Sequence, residues 1–416
     1  MKTVTCQRCH FLKRYNTAIS VSVKPQDYIN IISSIKDDNA MMIILVDLLD
    51  FPCSIFKDLA DIIGKTRPVF IVGNKVDLIP KDSPGYLNHL KDCLHQEALK
   101  MGFQKNSINH VGLISAKTGY GIEELITKLH SLWKSKGNVY LVGCTNVGKS
   151  SLFNALLSSD YCKSAASNLI KRATASPWPG TTLRLLKFPI LRPSDYNIYL
   201  RTQRLLSERE MKHAEEAMRN EKAQESMSIK NATLIGHVGR TFLEKEVLAD
   251  PASHSLNSGF GGKLEVFNEN EERYARSKWC FDTPGVMDGN QILPLLTTDE
   301  IIKVLPRQML RPRMYYVKSG MSLFIAGLAR LDIVDVPPLT RLIVYASIQL
   351  PISLCNTVDA DEFYSSFLGS ELLKVPIDLS EERLLNWPAL EAPYTEIAVE
   401  GTDKHLTVCD FVMSSA

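Results

Sequence analysis

The residues best placed to do chemistry are Gly143-Cys-Thr-Asn-Val-Gly-Lys-Ser150, a complete G-x-x-x-x-G-K-S. Gly143 and Gly148 let the backbone curl until successive N–H groups point at phosphate oxygens, and a following helix adds its positive end. Lys149 is expected to reach the β and γ phosphates of a nucleotide, with the Ser150 hydroxyl as a Mg²⁺ ligand. Asn146 inside the loop and Ser151 just after it belong to the same candidate set. A chance glycine turn is the alternative, but the strand-like Val139–Val142 before the motif and Leu152, Phe153, Leu156 and Leu157 after it supply the required context.

Two further segments address the base. Asn74-Lys75-Val-Asp77 follows the apolar run Val69–Val72. A carboxylate at Asp77 accepts both N1–H and the 2-amino group of guanine, whereas adenine offers no matching donors. Ser115-Ala116-Lys117 ends another apolar run and is expected to set backbone N–H groups near the guanine O6. Asp282-Thr-Pro-Gly285 closes the run Lys278–Phe281; Asp282 is expected to hold Mg²⁺ through water and Gly285 to sense the γ phosphate by its N–H. An N-K-x-D alone is fallible. Together with S-A-K and the P-loop it predicts a GTP site.

These loops need elements to position them. The runs Met42–Val46, Val69–Val72, Val111–Ile114 and Val139–Val142 read as buried parallel strands. Ile122, Leu125, Ile126, Leu129 and Trp133 lie three to four apart and form one apolar helix face. Strands alternating with helices predict an α/β fold with a doubly wound, mostly parallel sheet. A length of 416 residues suits two or three domains. With 48 Lys+Arg against 46 Asp+Glu the net charge is +2, which excludes a wholly basic nucleic-acid coat protein and an acidic disordered chain.

No apolar run approaches the ~18 residues that span a bilayer. The best, Gly320–Ala329, is bounded by Lys318 and Arg330, so a soluble chain with no transmembrane segment is expected. Nine sparse cysteines suit a reducing compartment. From about 195 to 278 the character changes: residues 201–230 hold seven basic and six acidic side chains, predicting a solvated surface helix or a partly disordered insertion.

The motif order is unusual. Ordinary GTPases run from P-loop to NKxD to SAK, whereas here Asn74–Asp77 and Ser115–Lys117 precede the P-loop, so the chain reads as a circularly permuted Ras-like G domain, a rearrangement that close chain termini make feasible. In this order the four motifs resemble the permuted GTPases of the YqeH type. Ser159–Cys162 and Arg172–Ile190 look more like the animal mitochondrial nitric-oxide-associated proteins of that family.

The resemblance covers roughly residues 5–350. It implies a mitochondrial GTPase that acts in assembly of the small ribosomal subunit and binds RNA. It also makes Thr182, within Pro179–Thr182, the threonine that closes on Mg²⁺, with Thr181 the less favoured choice. Val286 stands where Ras-like enzymes carry a water-orienting Gln, so hydrolysis is expected to be slow. Asn146 matches a P-loop asparagine that helps hold K⁺ in related enzymes with this apolar substitution; the alternative is that it only orders the loop. No haem, flavin or nicotinamide fingerprint supports nitric oxide synthesis.

Cys6 and Cys9 resemble the second half of the family's N-terminal zinc module. Structural zinc takes four ligands, and two cysteines do not close the tetrahedron, so Zn²⁺ binding is doubtful. Residues 1–15 are expected to be a remnant of that module, 16–290 the GTP-binding domain, and 291–416 a C-terminal RNA- or partner-binding domain that is cut short. Two stretches carry basic residues and no acid: Tyr161–Ser194, and Ile301–Leu331 with Arg311, Arg313, Tyr315 and Tyr316. Cations neutralise phosphates and aromatics stack on unpaired bases, which suits RNA; a solvated surface with core tyrosines is the equal alternative. A second function also stands, a GTP-binding module with negligible turnover that scaffolds a partner.

Overall fold

The computed structural model describes residues 32–390, apart from 34, 36–38, 57, 82, 175–184, 227–231, 243–266, 286–291, 339, 378 and 389. Two compact units divide the chain, one within Val21–Met287 and one from Asp288 onward.

The first unit is built on a six-stranded sheet. Its strands are β1 (Ala40–Asp47), β2 (Val69–Asn74), β3 (Ile108–Leu113), β4 (Asn138–Val142), β5 (Leu186–Pro189) and β6 (Trp279–Asp282), in the spatial order β3-β2-β1-β4-β6-β5. All neighbours pair in parallel except β5, which runs antiparallel to β6 at the edge. The expected mixed α/β fold with a mostly parallel sheet is therefore what forms.

Period-two alternation explains why β1, β2 and β4 are apolar throughout. Met41, Ile43, Leu45, Phe70, Val72, Val139 and Leu141 enter one core, while Met42, Ile44, Val46, Val69, Ile71, Tyr140 and Val142 enter another on the opposite face. Helices α1 (Leu59–Ile63) and α2 (Tyr86–Lys100) cover the second face through Leu59, Ile63, Leu94 and Ala98. Helices α3 (Ile122–Lys128) and α4 (Lys149–Leu157) cover the first. The five residues expected on one face, Ile122 to Trp133, are all buried there, and a π-helical turn over Leu129–Trp133 finishes α3.

The charged segment forms a single helix, α5 (Asp195–Ser226), about 48 Å long at 1.5 Å per residue. Ser194 caps it, its Oγ accepting from the Asn197 N–H, and no glycine or proline interrupts it. Of the two expectations, a solvated surface helix or a partly disordered insertion, the helix is what forms, and only its first turns depart from a solvated one. Arg201 is buried against Glu123, and Arg204 reaches Glu123 at 2.9 Å and Asp160 at 3.2 Å. Buried charges persist only when paired, so these two arginines anchor the helix while most of its remaining length faces solvent.

In the second unit, β7 (Arg313–Val317) pairs antiparallel with β10 (Thr340–Val344), and β8 (Met321–Ile325) lies between β9 (Ala329–Ile333) and β11 (Ile352–Asn356). Helix α6 (Thr298–Val304) opens with a capping box between Thr297 and Glu300, and the buried Glu300 also pairs with Arg383 at 2.6 Å. Helices α7 (Ala360–Phe367) and α8 (Glu381–Asn386) complete the described part. The apolar run Gly320–Ala329 is strand β8 and a turn into β9. Among the described residues no helix is long and apolar enough to cross a membrane.

Candidate nucleotide-binding site

Parallel strands put their carboxyl ends on one edge, and ligands of doubly wound sheets gather there. Asp47, Asn74, Ser115, Gly143 and Asp282 stand at or just beyond the ends of β1, β2, β3, β4 and β6. Strand pairing sets Leu141 opposite Asp282 and Asp47 opposite Asn74, so loops distant in sequence converge.

At the phosphate end, the loop from Gly143 leads into α4, whose first residue is Lys149. Gly148 has φ +95°, and a Cβ there would lie 2.3 Å from the Asn74 amide nitrogen. Asn146 also has positive φ, at 61°, a conformation asparagine tolerates better than most residues. The Lys149 ammonium is buried and donates to the Gly143 and Cys144 carbonyls at 3.0 and 2.6 Å. Burial lowers its pKa to about 8, against the opposing pull of the Asp282 carboxylate.

Ser150 Oγ donates to Asp282 Oδ2 at 2.8 Å. Burial raises the Asp282 carboxyl to about 6, while Lys149 and the Ser150 bond oppose the rise. Asp282 Oδ1, Thr145 Oγ1 and the Asn146 amide nitrogen are buried with no partner among the described residues. A hydroxyl, a carboxylate with a spare oxygen and neighbouring cationic lysine suit a divalent ion beside phosphates, because hard oxygen donors are what Mg²⁺ takes. Gly285 comes close to the same loop, where a Cβ would lie 2.9 Å from Thr145 Cα and 3.0 Å from Lys149 Nζ.

At the base end, Asn74 is a bridge. Its Nδ2 donates to Val147 O of the P-loop at 2.7 Å, and its Oδ1 accepts from the Ala116 N–H at 2.9 Å. The amide of Ala116, expected near guanine O6, is thus engaged by Asn74 in this structure. Lys75 takes φ 68° and its ammonium pairs with Asp47. Asp77 is buried on the turn after β2. Ser115 is fully buried; its Oγ accepts from the Thr118 N–H at 3.0 Å and its N–H donates to Tyr120 O at 3.0 Å, closing the loop that carries Ala116 and Lys117. Ser151 is half-buried in the first turn of α4.

Two residues escaped the sequence reading. Asp47 anchors Lys75 and accepts from the Leu49 N–H at 3.0 Å, and Thr145 turns a buried hydroxyl into the phosphate loop. The acid ending β1 was the available signal for Asp47. Thr182, Val286, Cys6 and Cys9 lie outside the described residues. Among the described residues no three His, Cys, Asp or Glu side chains group to hold a metal.

Residues 138–247, which begin at β4 and include the P-loop, match the family model described as a 50S ribosome-binding GTPase. Nitric oxide-associated protein 1 of Mus musculus is 36% identical over 99% of this chain, and uncharacterized protein YqeH of Bacillus subtilis is 26% identical over 97%. The chain is a homologue of these two proteins. It covers 65% of the mouse protein's length, just under two thirds, and 82% of the bacterial one. The chloroplastic/mitochondrial NO-associated protein 1 of Arabidopsis thaliana is 27% identical over 44% of this chain and covers 34% of its own length. The match to a GTPase family model, the loops bearing Asn74–Asp77 and Ser115–Lys117, and a Mg²⁺-compatible donor set therefore coincide at one sheet edge.

Proposed function

We propose that the chain hydrolyses GTP in a circularly permuted Ras-like G domain, as a nucleotide-gated factor in assembly of the small subunit of the mitochondrial ribosome. The observation that carries the enzymatic part is the convergence at the sheet edge. Asn74 ties the base loops to the phosphate loop, and Ser150 meets Asp282 beside Lys149. The strand order β3-β2-β1-β4-β6-β5 supports the permutation, since the strands bearing the base motifs come first in the chain yet flank the P-loop strand on one side.

In this reading Asp77 takes N1–H and the 2-amino group of guanine. Lys149 leaves its loop carbonyls for the β and γ phosphates, exchanging neutral acceptors for anionic ones, which form stronger bonds. Ser150, Asp282 and Thr182 would hold Mg²⁺, which neutralises charge on the phosphates. Gly285 would sense the γ phosphate by its N–H, and only a glycine comes this close to Thr145 and Lys149. Asn146 is the residue to assist a K⁺ ion, which would supply positive charge where Val286 cannot orient water. Zn²⁺ has no complete ligand set in Cys6 and Cys9.

The organellar setting rests on the similarity to the chloroplastic/mitochondrial plant protein, and RNA contact on the basic stretches. Within Ile301–Leu331 the structure reassigns two cations: Arg313 donates to Leu350 O at 2.8 Å, and Arg330 pairs with Asp332 and Asp361. Arg311 and the exposed Tyr316 remain on the surface. The second reading, binding without turnover, is favoured by Val286. Phosphate release in KCl and in NaCl, with Lys149→Ala as the blank, separates the two; release in neither salt, with or without RNA, favours the binding module.

The deciding experiment is sedimentation of the tagged chain from mitochondrial lysate with a non-hydrolysable GTP analogue or with GDP. Co-migration with the small subunit in the GTP-like state alone supports the proposal. A chain that stays at the top of the gradient in both states removes the ribosome from it.

A further inference from the structure

Residues 232–242 run from the base-recognition loop to the end of the P-loop helix. At one end Thr118, the residue after Ser115-Ala116-Lys117, donates its Oγ1 to Leu234 O at 2.8 Å, and the Gly236 N–H donates to Thr118 O at 3.1 Å. Gly119 and Gly236 meet backbone to backbone: a Cβ on Gly119 would lie 2.8 Å from Gly236 O, and one on Gly236 would lie 2.7 Å from Gly119 O. No side chain fits between them.

Midway, the Gly239 N–H donates to Glu123 Oε1 at 2.9 Å. At the other end Arg240 donates to Leu157 O at 2.7 Å and Ser158 O at 3.0 Å, satisfying carbonyls that a helix end leaves open. The Thr241 N–H donates to Asp160 Oδ1 at 2.7 Å. Glu123 and Asp160 are the acids that receive Arg201 and Arg204 of α5, so the helix and the return segment grip the same two residues. Helices α3 and α4, which follow the base loop and the phosphate loop, are thereby strapped from one side.

We infer that this return segment sets how strongly guanine is recognised, with Thr118 and Gly236 as positioning residues for the loop that faces O6. The inference rests on the guanine-nucleotide reading. Hydrogen bonds weaken steeply as their angle closes, and a recognition loop serves only when its support holds it within ~0.5 Å. Thr118 is one residue from the loop's recognition triplet, and its two bonds to the return segment fix both its side chain and its carbonyl.

The test titrates the full chain, with Mg²⁺, against GDP, 6-thio-GDP (a poorer acceptor at position 6) and IDP (no 2-amino group). Thr118→Val keeps the shape of the side chain and removes the donor. It should weaken GDP about three- to tenfold, the worth of one hydrogen bond. The preference for GDP over 6-thio-GDP should narrow by a similar factor. The preference for GDP over IDP should hold, because Asp77 reads that group. Gly236→Ala should give the same pattern, and Thr118→Ser should restore binding.

GDP affinity for Thr118→Val within about twofold of the parent, or an equal loss for all three nucleotides, overturns the inference while leaving the GTP site standing. A parent chain that binds no GDP overturns the guanine reading and this inference with it.

Discussion

Asp282 is a carboxyl that burial holds back from ionising. Its folded-state pKa of about 6 exceeds the ordinary 3.8, so the native state holds the proton more tightly than the unfolded chain. The ionised group therefore costs the nucleotide-free fold stability, and the cost grows as pH rises from about 4 to about 6 and persists above. Asp282→Asn should be more stable than the parent by on the order of 2–3 kcal/mol at neutral pH. That gain should vanish near pH 4, as read by urea unfolding across the range. A difference that ignores pH would contradict the assignment. The Lys149 ammonium imposes a parallel cost, full below about pH 8 and relieved as pH rises from there toward the ordinary 10.5. Asp77 offers a second test. Asn in its place keeps an acceptor for N1–H in its Oδ1 but loses the acceptor for the 2-amino group and gains a donor for a 2-oxo group, so Asp77→Asn should lose at least about tenfold for GDP and gain on XDP in competition binding. These identities were legible in the sequence because chemistry dictates residue type at Lys149, Ser150, Asp77 and Asp282. Asn74's bridge was not, because it depends on a pairing between loops 73 positions apart.

Among the elements, helix α5 shows how composition misleads. Its thirty-two residues read as solvated charge, yet Arg201 and Arg204 are the most consequential of them because Glu123 and Asp160 wait in the facing surface. Glu123→Ala would leave Arg201 with Asp160 as its sole acid, shared with Arg204, which keeps Glu208 as well, and breaking such a buried network costs about 3–5 kcal/mol. Glu210→Ala, on the exposed side, should change stability by less than about 0.5 kcal/mol. Thermal unfolding of both variants checks the contrast. The parallel strands were readable because burial on both faces makes them continuous apolar runs. The short antiparallel strands β7 to β11 were not, since half-buried segments such as Arg313–Val317 mix Arg, Met and Tyr and carry no unbroken apolar run. Edge strand β5 was hidden for the same reason: only Phe188 and Pro189 of its four residues are buried.

For the molecule as a whole, the RNA hypothesis now rests on fewer cations than a count of basic residues suggests. Reversing Arg313 would disturb its bonds to Leu350 and Ser347, so loss of RNA binding in that variant would carry no meaning. Arg311→Glu is the clean test: ultraviolet crosslinking to RNA should fall severalfold through the lost phosphate contact, with unchanged thermal unfolding. Unchanged crosslinking would withdraw this patch from the proposal.

The spatial order of the sheet also bears on how the protein is made. Among the described residues the first three strands in chain order, β1, β2 and β3, are contiguous neighbours in the sheet. A growing chain can pair them while the P-loop is still being translated, and short-range pairing is the kinetically favoured kind. The half that carries the Asn74–Asp77 and Ser115–Lys117 loops can thus be in place as a template before the half that carries the P-loop arrives, and β4 then joins an existing edge beside β1. The amide of Asn74, formed early, meets Val147 only at that docking step, so the completed cradle reports that both halves have been joined in register.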